Sequence, residues 1–284
     1  MLPKRVCIVG LGLIGGSLAR ALRPFLAYLA VVDANPDTRR AAGSLADLVT
    51  ADLAEGMQGT ELIILATPVR IILKLLAQLP AVRPDGCLVL DLGSTKAVIS
   101  QVMETLPPAF QAIGGHPMCG KETSGFAAAD PDLFQKQTFV LCRNGRTSPD
   151  VEQVAREIID RIGAFPLLLP PDVHDRLVAA TSHLPYLISA ALMRTVAGQA
   201  DDQLWAVSAS GFRDTSRLAG SEPQMMLDIL LTNRMEVIDQ VDKLQGQLIT
   251  IKRLLLQGDE AALADWLAET QQQYATYRTV KQKQ

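Results

Sequence analysis

The segment VCIVGLGLIGGSLARAL, residues 6–22, constrains the fold of this chain more than any other part of the sequence. A short apolar run leads into Gly10-x-Gly12-x-x-Gly15, and a helical pattern follows at once. In this context Gly10 permits a tight turn, Gly12 lets backbone approach a pyrophosphate, and Gly15 lets helix and strand pack closely. The segment therefore predicts a dinucleotide-binding turn, and an ordinary glycine turn is the alternative.

The helix after these glycines begins near Leu13 and Ile14, so its free N–H groups would face the bound anion. Asp33 ends the next apolar run. A carboxylate at that place can accept hydrogen bonds from ribose hydroxyls and repels a 2′-phosphate, which favours NAD as the cofactor over NADP. Arg39 and Arg40 follow it and leave NADP open, unless they face solvent on the next helix.

Short apolar runs alternate with helix-length segments in the first half of the chain, which predicts βαβ units and a mainly parallel sheet. The runs rich in apolar residues are 6–9, 29–32, 62–65, 88–90, 138–141 and 165–169. After the double proline at 170–171 only helical patterns follow, at about 173–198, 201–210, 223–257 and 259–280. We therefore expect an α/β chain, with a Rossmann NAD(P)-binding domain at 1–170 and an all-helical domain at 171–284.

Apolar residues in the third of these helical segments recur at alternating steps of four and three, as in a coiled-coil seam. The seam consists of Val237, Val241, Leu244, Leu248, Ile251 and Leu255. It could pack inside its own domain or form the interface of a homodimer, and the sequence leaves both open.

Composition excludes several classes of protein. The net charge of −3 gives no basic balance for nucleic acid, and no apolar run reaches the length needed to span a membrane. The four cysteines have no CxxC or zinc spacing, so we expect them to be reduced in a cytoplasmic protein and expect no metal site. The first residues lead straight from a strand into glycines, which differs from a signal peptide.

Polar residues follow two of the predicted strands where ligands bind in open α/β sheets, at the strands' carboxyl ends. Thr67 and Pro68 follow one strand, and Asp91, Ser94 and Lys96 follow the next. We expect all of them to line or border the cofactor cleft. A helix cap or turn is the alternative role for Asp91.

His116 stands in AIGGHPMCGKETSGF, residues 112–126, behind two glycines and ahead of a proline. This pattern predicts a bare loop on which backbone and ligand approach closely. An imidazole held there can take up a proton near neutral pH, which predicts a general base. A structural histidine is the alternative.

The helical half holds the other polar candidates. Pro185 should kink a helix near His183, which would then point into a cleft, although a buried structural role is the alternative. His174 falls in the first turn of that helix, and we assign it no role. Arg213 and Arg217 flank Asp214, and a guanidinium can clamp a carboxylate, whereas a local surface ion pair is the alternative.

Taken together, GLGLIGGSLA, DLGSTK, GGHPMCGKETSGFAAA, SHLPYL and GFRDTSRLAGSEP resemble the prephenate/arogenate dehydrogenase family of tyrosine biosynthesis almost end to end. The resemblance implies a Rossmann domain, a helical dimerisation domain, and oxidative decarboxylation of a cyclohexadiene that carries a 4-hydroxyl group. It also implies two small-molecule substrates, prephenate or arogenate, between which no residue here decides.

Position by position, the resemblance gives His116 the catalytic role at the substrate 4-hydroxyl and places Ser94 near that hydroxyl and the nicotinamide. It makes His183 part of the substrate cleft and Arg217 the clamp for a substrate carboxylate. Arg213 and Lys121 are further cations for substrate binding. At Met226 the sequence departs from relatives that carry tryptophan, which affects how the substrate side chain is recognised.

Two other functions compete with this interpretation. A hydroxyisobutyrate-type NAD(P) dehydrogenase shares the two-domain organisation but is expected to use a lysine of the helical half as its acid/base. A nucleotide-sensing module without chemistry would not need both His116 and Arg217.

Overall fold

A central eight-stranded sheet organises the first half of the chain in the computed structural model, which describes residues 2–121, 123–199, 201 and 203–282. The strands are β1 Arg5–Val9, β2 Tyr28–Val32, β3 Leu48–Thr50, β4 Leu62–Leu65, β5 Leu88–Asp91, β6 Gln111–Pro117, β7 Thr138–Cys142 and β8 Phe165–Leu168. Six of these contain the predicted apolar runs. The sequence misses β3, whose three residues are all half-buried, so no continuous apolar run marks it.

The strand order is β3-β2-β1-β4-β5-β6-β7-β8. All neighbouring strands are parallel except β6 and β7, which are antiparallel. The first six strands have the order of a dinucleotide-binding Rossmann sheet, so the predicted α/β fold is confirmed. Apolar side chains of this sheet form a core on each face, one against the helices that follow β1 and β7 and the other against those that follow β4 and β5.

Helices connect the strands and make up most of the remaining chain. They are α1 Leu13–Leu22, α2 Pro36–Ala41, α3 Leu53–Met57, α4 Val69–Val82, α5 Ala97–Glu104, α6 Pro149–Arg161, α7 Pro171–Val178, α8 Leu184–Ala197, α9 Ser210–Ser216, α10 Pro223–Thr232, α11 Arg234–Gln257 and α12 Glu260–Gln282. The described chain divides into two compact units, residues 1–236 and 237–284. The boundary near Pro170 between a Rossmann and a helical domain stays a prediction.

Three predicted helices differ from the structure. The segment 203–206 forms turns, and α9 begins only at Ser210, so the helix predicted at 201–210 is wrong. The helix predicted at 223–257 is broken at Asn233, which ends α10. The helix predicted at 173–198 passes through a π-helical turn, Ala179–His183, just before Pro185, because proline cannot supply a helical hydrogen bond there.

The predicted bare loop around His116 is also wrong, because His116 lies inside β6 and pairs with Val140 of β7. Glycines occupy this strand because nothing larger fits. A Cβ atom on Gly114 would lie 3.2 Å from Lys96 Cδ, and one on Gly115 would lie 2.9 Å from the Asp91 carbonyl oxygen. The two glycines thus let the strand lie directly over a buried charged pair.

No helix in the described residues is both long enough and apolar enough to cross a bilayer. All four cysteines are free thiols in the structure.

Candidate active site

The glycine-rich turn joins β1 to α1. Gly10 has a φ of +92°, and a Cβ atom there would lie 2.7 Å from Thr67 Cγ2. A Cβ atom on Gly15 would lie 1.9 Å from the carbonyl oxygen of Gly10. Any side chain at either position would therefore push the turn apart.

Gly12, in contrast, faces open space, since no described atom beyond its own chain neighbours lies within 4 Å of the place where its Cβ would stand. It precedes α1 without a side-chain cap for the first N–H groups, and Leu13 and Ile14 after it are half-buried. An uncapped helix N-terminus behind an open backbone turn suits a phosphate group. The turn therefore fits the pyrophosphate of a dinucleotide.

Asp33 lies at the end of β2, beside this turn. Its carboxylate accepts hydrogen bonds from the N–H groups of Leu11, at 2.7 Å, and Asn35, at 2.8 Å. These bonds fix the orientation of the carboxylate, and each oxygen keeps a second lone pair for a ribose hydroxyl.

Arg39 and Arg40, the two arginines that left NADP possible as the cofactor, both have partners within the protein. Arg39 Nη1 donates to the carbonyl oxygens of Asp33, at 2.7 Å, and Ala34, at 2.8 Å. Arg40 forms an exposed ion pair with Asp37. In this arrangement neither guanidinium competes with Asp33 for the ribose, which fits NAD.

Thr67 and Pro68 occupy the loop between β4 and α4. The Thr67 hydroxyl is buried and has no hydrogen-bond partner in the described part of the chain. Such a group is rare in native proteins, and a ligand can satisfy it. Thr67 also borders the Gly10 turn through its methyl group, so it lies beside the turn that fits a dinucleotide.

The sequence predicts that Asp91 and Lys96 both line or border the cleft, but both side chains are fully buried, so neither lines it. The Asp91 carboxylate forms an ion pair with Lys96 and accepts the N–H of Gly93 at 2.8 Å. Burial raises the pKa of Asp91, and the Lys96 ammonium opposes that shift. Lys96 Nζ also donates to the Gly115 carbonyl oxygen at 2.8 Å, so the pair secures the strand residue just before His116.

His116 contacts a second histidine that sequence reasoning passed over. Its Nδ1 lies 2.8 Å from Nε2 of His174, and the two rings meet edge to face. His174 is buried on α7, and its Nδ1 lies 2.8 Å from Oδ1 of Asp175. The adjacent residues His174 and Asp175 are the only hint in the sequence, and 58 positions separate them from His116.

Asp175 ends this chain of hydrogen bonds at the N-terminus of α5. Its carboxylate accepts the N–H groups of Lys96, at 2.7 Å, and Ala97, at 2.9 Å. Backbone N–H groups and the helix dipole both stabilise a negative charge at this place. The Asp175 carboxylate is therefore held in place as the hydrogen-bond acceptor for Nδ1 of His174.

This acceptor fixes the proton positions in both histidines. The carboxylate requires a proton on Nδ1 of His174, so in the neutral form of that ring Nε2 is the acceptor. His116 must then carry its proton on Nδ1, which leaves the lone pair on its Nε2. A neutral His116 with an unprotonated Nε2 has the form that a general base requires.

The surroundings keep His116 neutral. Burial lowers its pKa well below 6.5, and repulsion from the nearby Lys96 ammonium adds to this shift. His116 is nevertheless only half-buried, so part of the residue remains exposed. At neutral pH the ring is therefore in the form that accepts protons.

His183 lies at the end of the π-helical turn and is also buried. Burial is the main reason that its pKa is lowered to about 4, so the ring is neutral at pH 7. Its Nδ1 lies 3.3 Å from Nδ2 of Asn233, the residue that breaks the predicted long helix. The π-helical turn belongs to a class of distortion that is frequent at functional sites.

Ser94 is half-buried in the loop between β5 and α5, next to the residues that hold Asp175. Thr95 beside it shares a hydrogen bond of 2.9 Å with Thr232, which ties this loop to α10. Ser94 thus lies on the loop that leads to the N–H groups bound by Asp175, the partner of His174.

The remaining predicted cations lie at the surface. Lys121 forms an ion pair of 2.7 Å with Asp130, and Arg213 forms an exposed one of 3.0 Å with Asp214, as in the surface alternative. Arg217 is exposed at the start of a 3₁₀ turn, Arg217–Gly220, which is attached to α8 through Ser189. The substrate-binding roles of these three cations stay predictions.

The segment after His116 packs against the cofactor helix α1. A Cβ atom on Gly16 would lie 2.8 Å from the ring of Phe126, so this extra glycine serves packing. Arg20 lies over the same ring and donates to the Ala129 carbonyl oxygen at 2.7 Å. The segment that follows His116 and helix α1 are therefore in direct contact.

The Rossmann sheet, the glycine turn and the paired histidines together have the form of a dinucleotide-binding dehydrogenase. Sequence models of two domains match this chain: "Prephenate dehydrogenase, nucleotide-binding domain" over residues 18–166 and "Prephenate dehydrogenase, dimerization domain" over residues 170–269. The chain therefore belongs to the prephenate dehydrogenase family. This membership favours the prephenate/arogenate dehydrogenase interpretation over the hydroxyisobutyrate-type dehydrogenase family.

Individual relatives agree with this result. Prephenate dehydrogenase of Bacillus subtilis is 30% identical over 264 residues, which cover 89% of this chain and 71% of the relative. The structure of Aquifex aeolicus prephenate dehydrogenase with hydroxyphenyl propionate and NAD+ has a TM-score of 0.89 at 26% identity, covering 96% and 98%. Synechocystis arogenate dehydrogenase has a TM-score of 0.80 at 31% identity, covering 96% and 99%.

Proposed function

We propose that this enzyme catalyses the NAD-dependent oxidative decarboxylation of prephenate to 4-hydroxyphenylpyruvate. The observation that carries the proposal is the hydrogen-bonded series from Asp175 through His174 to His116, which leaves Nε2 of His116 as a neutral base. The substrate has a hydroxyl group whose proton must leave as its carbon is oxidised, and this base suits that task.

The proposed mechanism assigns a task to each residue. His116 Nε2 accepts the proton of the 4-hydroxyl group as C4 is oxidised, and Ser94 orients that hydroxyl. The dinucleotide, when bound, supplies the acceptor for the C4 hydride. The bond between C1 and its carboxylate then breaks, CO2 leaves, and the electron pair completes the aromatic ring. The phenolate oxygen finally recovers the proton from His116, so atoms and charge balance.

Because aromatisation drives the reaction, the protein mainly aligns the reacting groups. We propose that Arg217 binds a substrate carboxylate with its two-pronged guanidinium and that His183 donates a hydrogen bond within the same cleft. Arg213 and Lys121 would add positive charge near the entrance. In a chain with a net charge of −3, a dianionic substrate needs such local cations.

Steady-state kinetics with purified enzyme, NAD and prephenate test this function through the absorbance of reduced nicotinamide. We expect saturable turnover that releases CO2 and forms 4-hydroxyphenylpyruvate. An enzyme that turns over neither prephenate nor arogenate would contradict the proposal.

Arogenate is the second candidate substrate, either alone or in a cyclohexadienyl dehydrogenase of dual specificity. The observation that favours it is the 31% identity to Synechocystis arogenate dehydrogenase over nearly the whole chain. Met226, the position where some relatives carry tryptophan, is buried in α10. The ratio of kcat/KM for the two substrates decides between them.

Preference for NAD over NADP is the first mutational prediction and depends on Asp33. We expect wild-type kcat/KM with NAD to exceed that with NADP by about 10- to 1000-fold, because the carboxylate repels a 2′-phosphate. Asp33→Asn should shrink this ratio. Asp150→Asn is the matched control, since Asp150 is exposed in the first turn of α6, and it should leave the ratio unchanged. Equal use of both cofactors by wild type would contradict the assignment.

The pH dependence of the reaction follows from the lowered pKa of His116. Activity requires the neutral ring, so kcat/KM should be constant through neutral pH and fall only as the pH drops through the pKa of the folded enzyme. We expect this fall below about pH 6.5, the ordinary histidine pKa. A profile of kcat/KM measured between about pH 4 and pH 8 checks the direction of the pKa shift. A fall in kcat/KM centred at or above the ordinary histidine pKa would contradict a lowered pKa.

We also infer that the helical half forms a homodimer. The matched domain model is described as a dimerization domain. Within unit 237–284, large apolar side chains remain exposed on both helices: Leu248, Ile249, Leu255, Leu256, Leu267, Tyr274, Tyr277 and Val280. Exposed apolar surface of this extent is typical of an interface that a second copy covers.

A further inference from the structure

Asn233 interrupts the helical pattern that the sequence predicts across 223–257, and its side chain is buried. Its Nδ2 lies 2.7 Å from the carbonyl oxygen of Asp175 and 3.3 Å from Nδ1 of His183. One amide group therefore contacts both the backbone of the catalytic network and the second cleft histidine.

The chemistry of these contacts fixes the orientation of the amide. A carbonyl oxygen can only accept, so the group next to Asp175 must be the NH2 of Asn233 rather than its oxygen. The same NH2 faces Nδ1 of His183, which must then be unprotonated. A neutral His183 therefore carries its proton on Nε2.

We propose that Asn233 is a positioning residue that holds His183 as the Nε2–H tautomer, so that this ring offers the substrate a hydrogen-bond donor. The contact with substrate rests on the proposed function, whereas the tautomer is a property of the free protein. The two histidines then have complementary tautomers and different roles. His116 accepts a proton at Nε2, and His183 donates a hydrogen bond from its Nε2–H.

The surroundings of Asn233 hold its amide in place. Just before it on α10, Thr232 bonds to Thr95, and Asp228 accepts the N–H of Arg70 at 3.3 Å. The contact with Asp175 then joins the end of α10 to α7. Asn233 is thus held both by the contacts of α10 and by its own bond to Asp175. A donor that selects the tautomer of a neighbouring ring must be fixed in this way.

Nitrogen NMR of the histidine rings in the free enzyme tests the tautomer directly, because protonated and unprotonated ring nitrogens have separate resonances. The chain has three histidines, and His116→Asn and His174→Gln assign two of them by loss of signal. In wild type we expect Nδ1 of His183 to be unprotonated. In Asn233→Asp a carboxylate oxygen replaces the donor, so the proton should move to Nδ1.

Asn233→Ala is the second variant, in which the tautomer preference should weaken. Thr232→Val is the matched control, because it perturbs the same helix junction and keeps the amide, so the His183 tautomer should stay as in wild type. A His183 ring that keeps its Nε2–H form in both Asn233 variants would overturn the proposal, whatever the stability of the variants.

Kinetics separate this proposal from the proposed function. In Asn233→Ala we expect KM for the substrate to rise about threefold to tenfold, with kcat changed less, because a hydrogen bond between neutral groups is lost. A changed tautomer with an unchanged KM would overturn the substrate contact of His183. Absence of wild-type turnover with either substrate would instead remove the proposed function and leave the NMR result standing.

Discussion

Replacing His116 with asparagine should lower kcat by about 100- to 10,000-fold, the usual contribution of a general base. Asparagine can still form a hydrogen bond to the substrate hydroxyl but cannot take its proton at neutral pH. The substrate KM should change much less than kcat, since binding depends on other groups. Steady-state kinetics of the purified variant give both constants.

Cofactor binding supplies the control for this variant, because His116 is in β6 and the glycine turn follows β1. We expect the dissociation constant for NAD, measured by fluorescence titration, to match that of wild type. A variant that keeps more than a tenth of wild-type kcat would show that His116 has a structural role.

The second large effect concerns His174, which touches no predicted ligand. His174→Leu should lower kcat by about 5- to 150-fold, because the Nδ1–H of His116 would lose its acceptor at a cost of about 1–3 kcal/mol. The His116 proton would then move to Nε2 and block the base. NAD affinity and substrate KM should change little, and the same kinetic assay measures all three quantities.

His174→Gln is the matched comparison, since its amide oxygen can take the place of Nε2 and accept the same proton. We expect its kcat to remain within about tenfold of wild type, as a kept hydrogen bond predicts. Equal losses in the leucine and glutamine variants would show that His174 serves packing alone.

Local patterns were sufficient for most of the fold. The glycines of the first turn, the apolar runs and Asp33 all act within a βαβ unit, so their roles depend on residues that are close in sequence. The half-buried strand β3 and the break at Asn233 escaped prediction because burial and long-range contacts, rather than local preference, decide them.

The candidate site shows the same difference between what local sequence determines and what long-range contacts determine. The sequence by itself indicated His116 as the candidate base and Asp33 as the carboxylate that would bind the ribose of the cofactor. Both predictions were possible because glycine spacing and strand ends are local properties. Only the tertiary structure placed His116 inside a strand, made Asp91 a buried partner of Lys96, and joined His174 and Asp175 to the base. A tautomer is selected by hydrogen-bond partners, and here those partners come from helices 58 and 50 residues away. No spacing rule along one chain contains that information, because it arises only when the helices pack against the sheet.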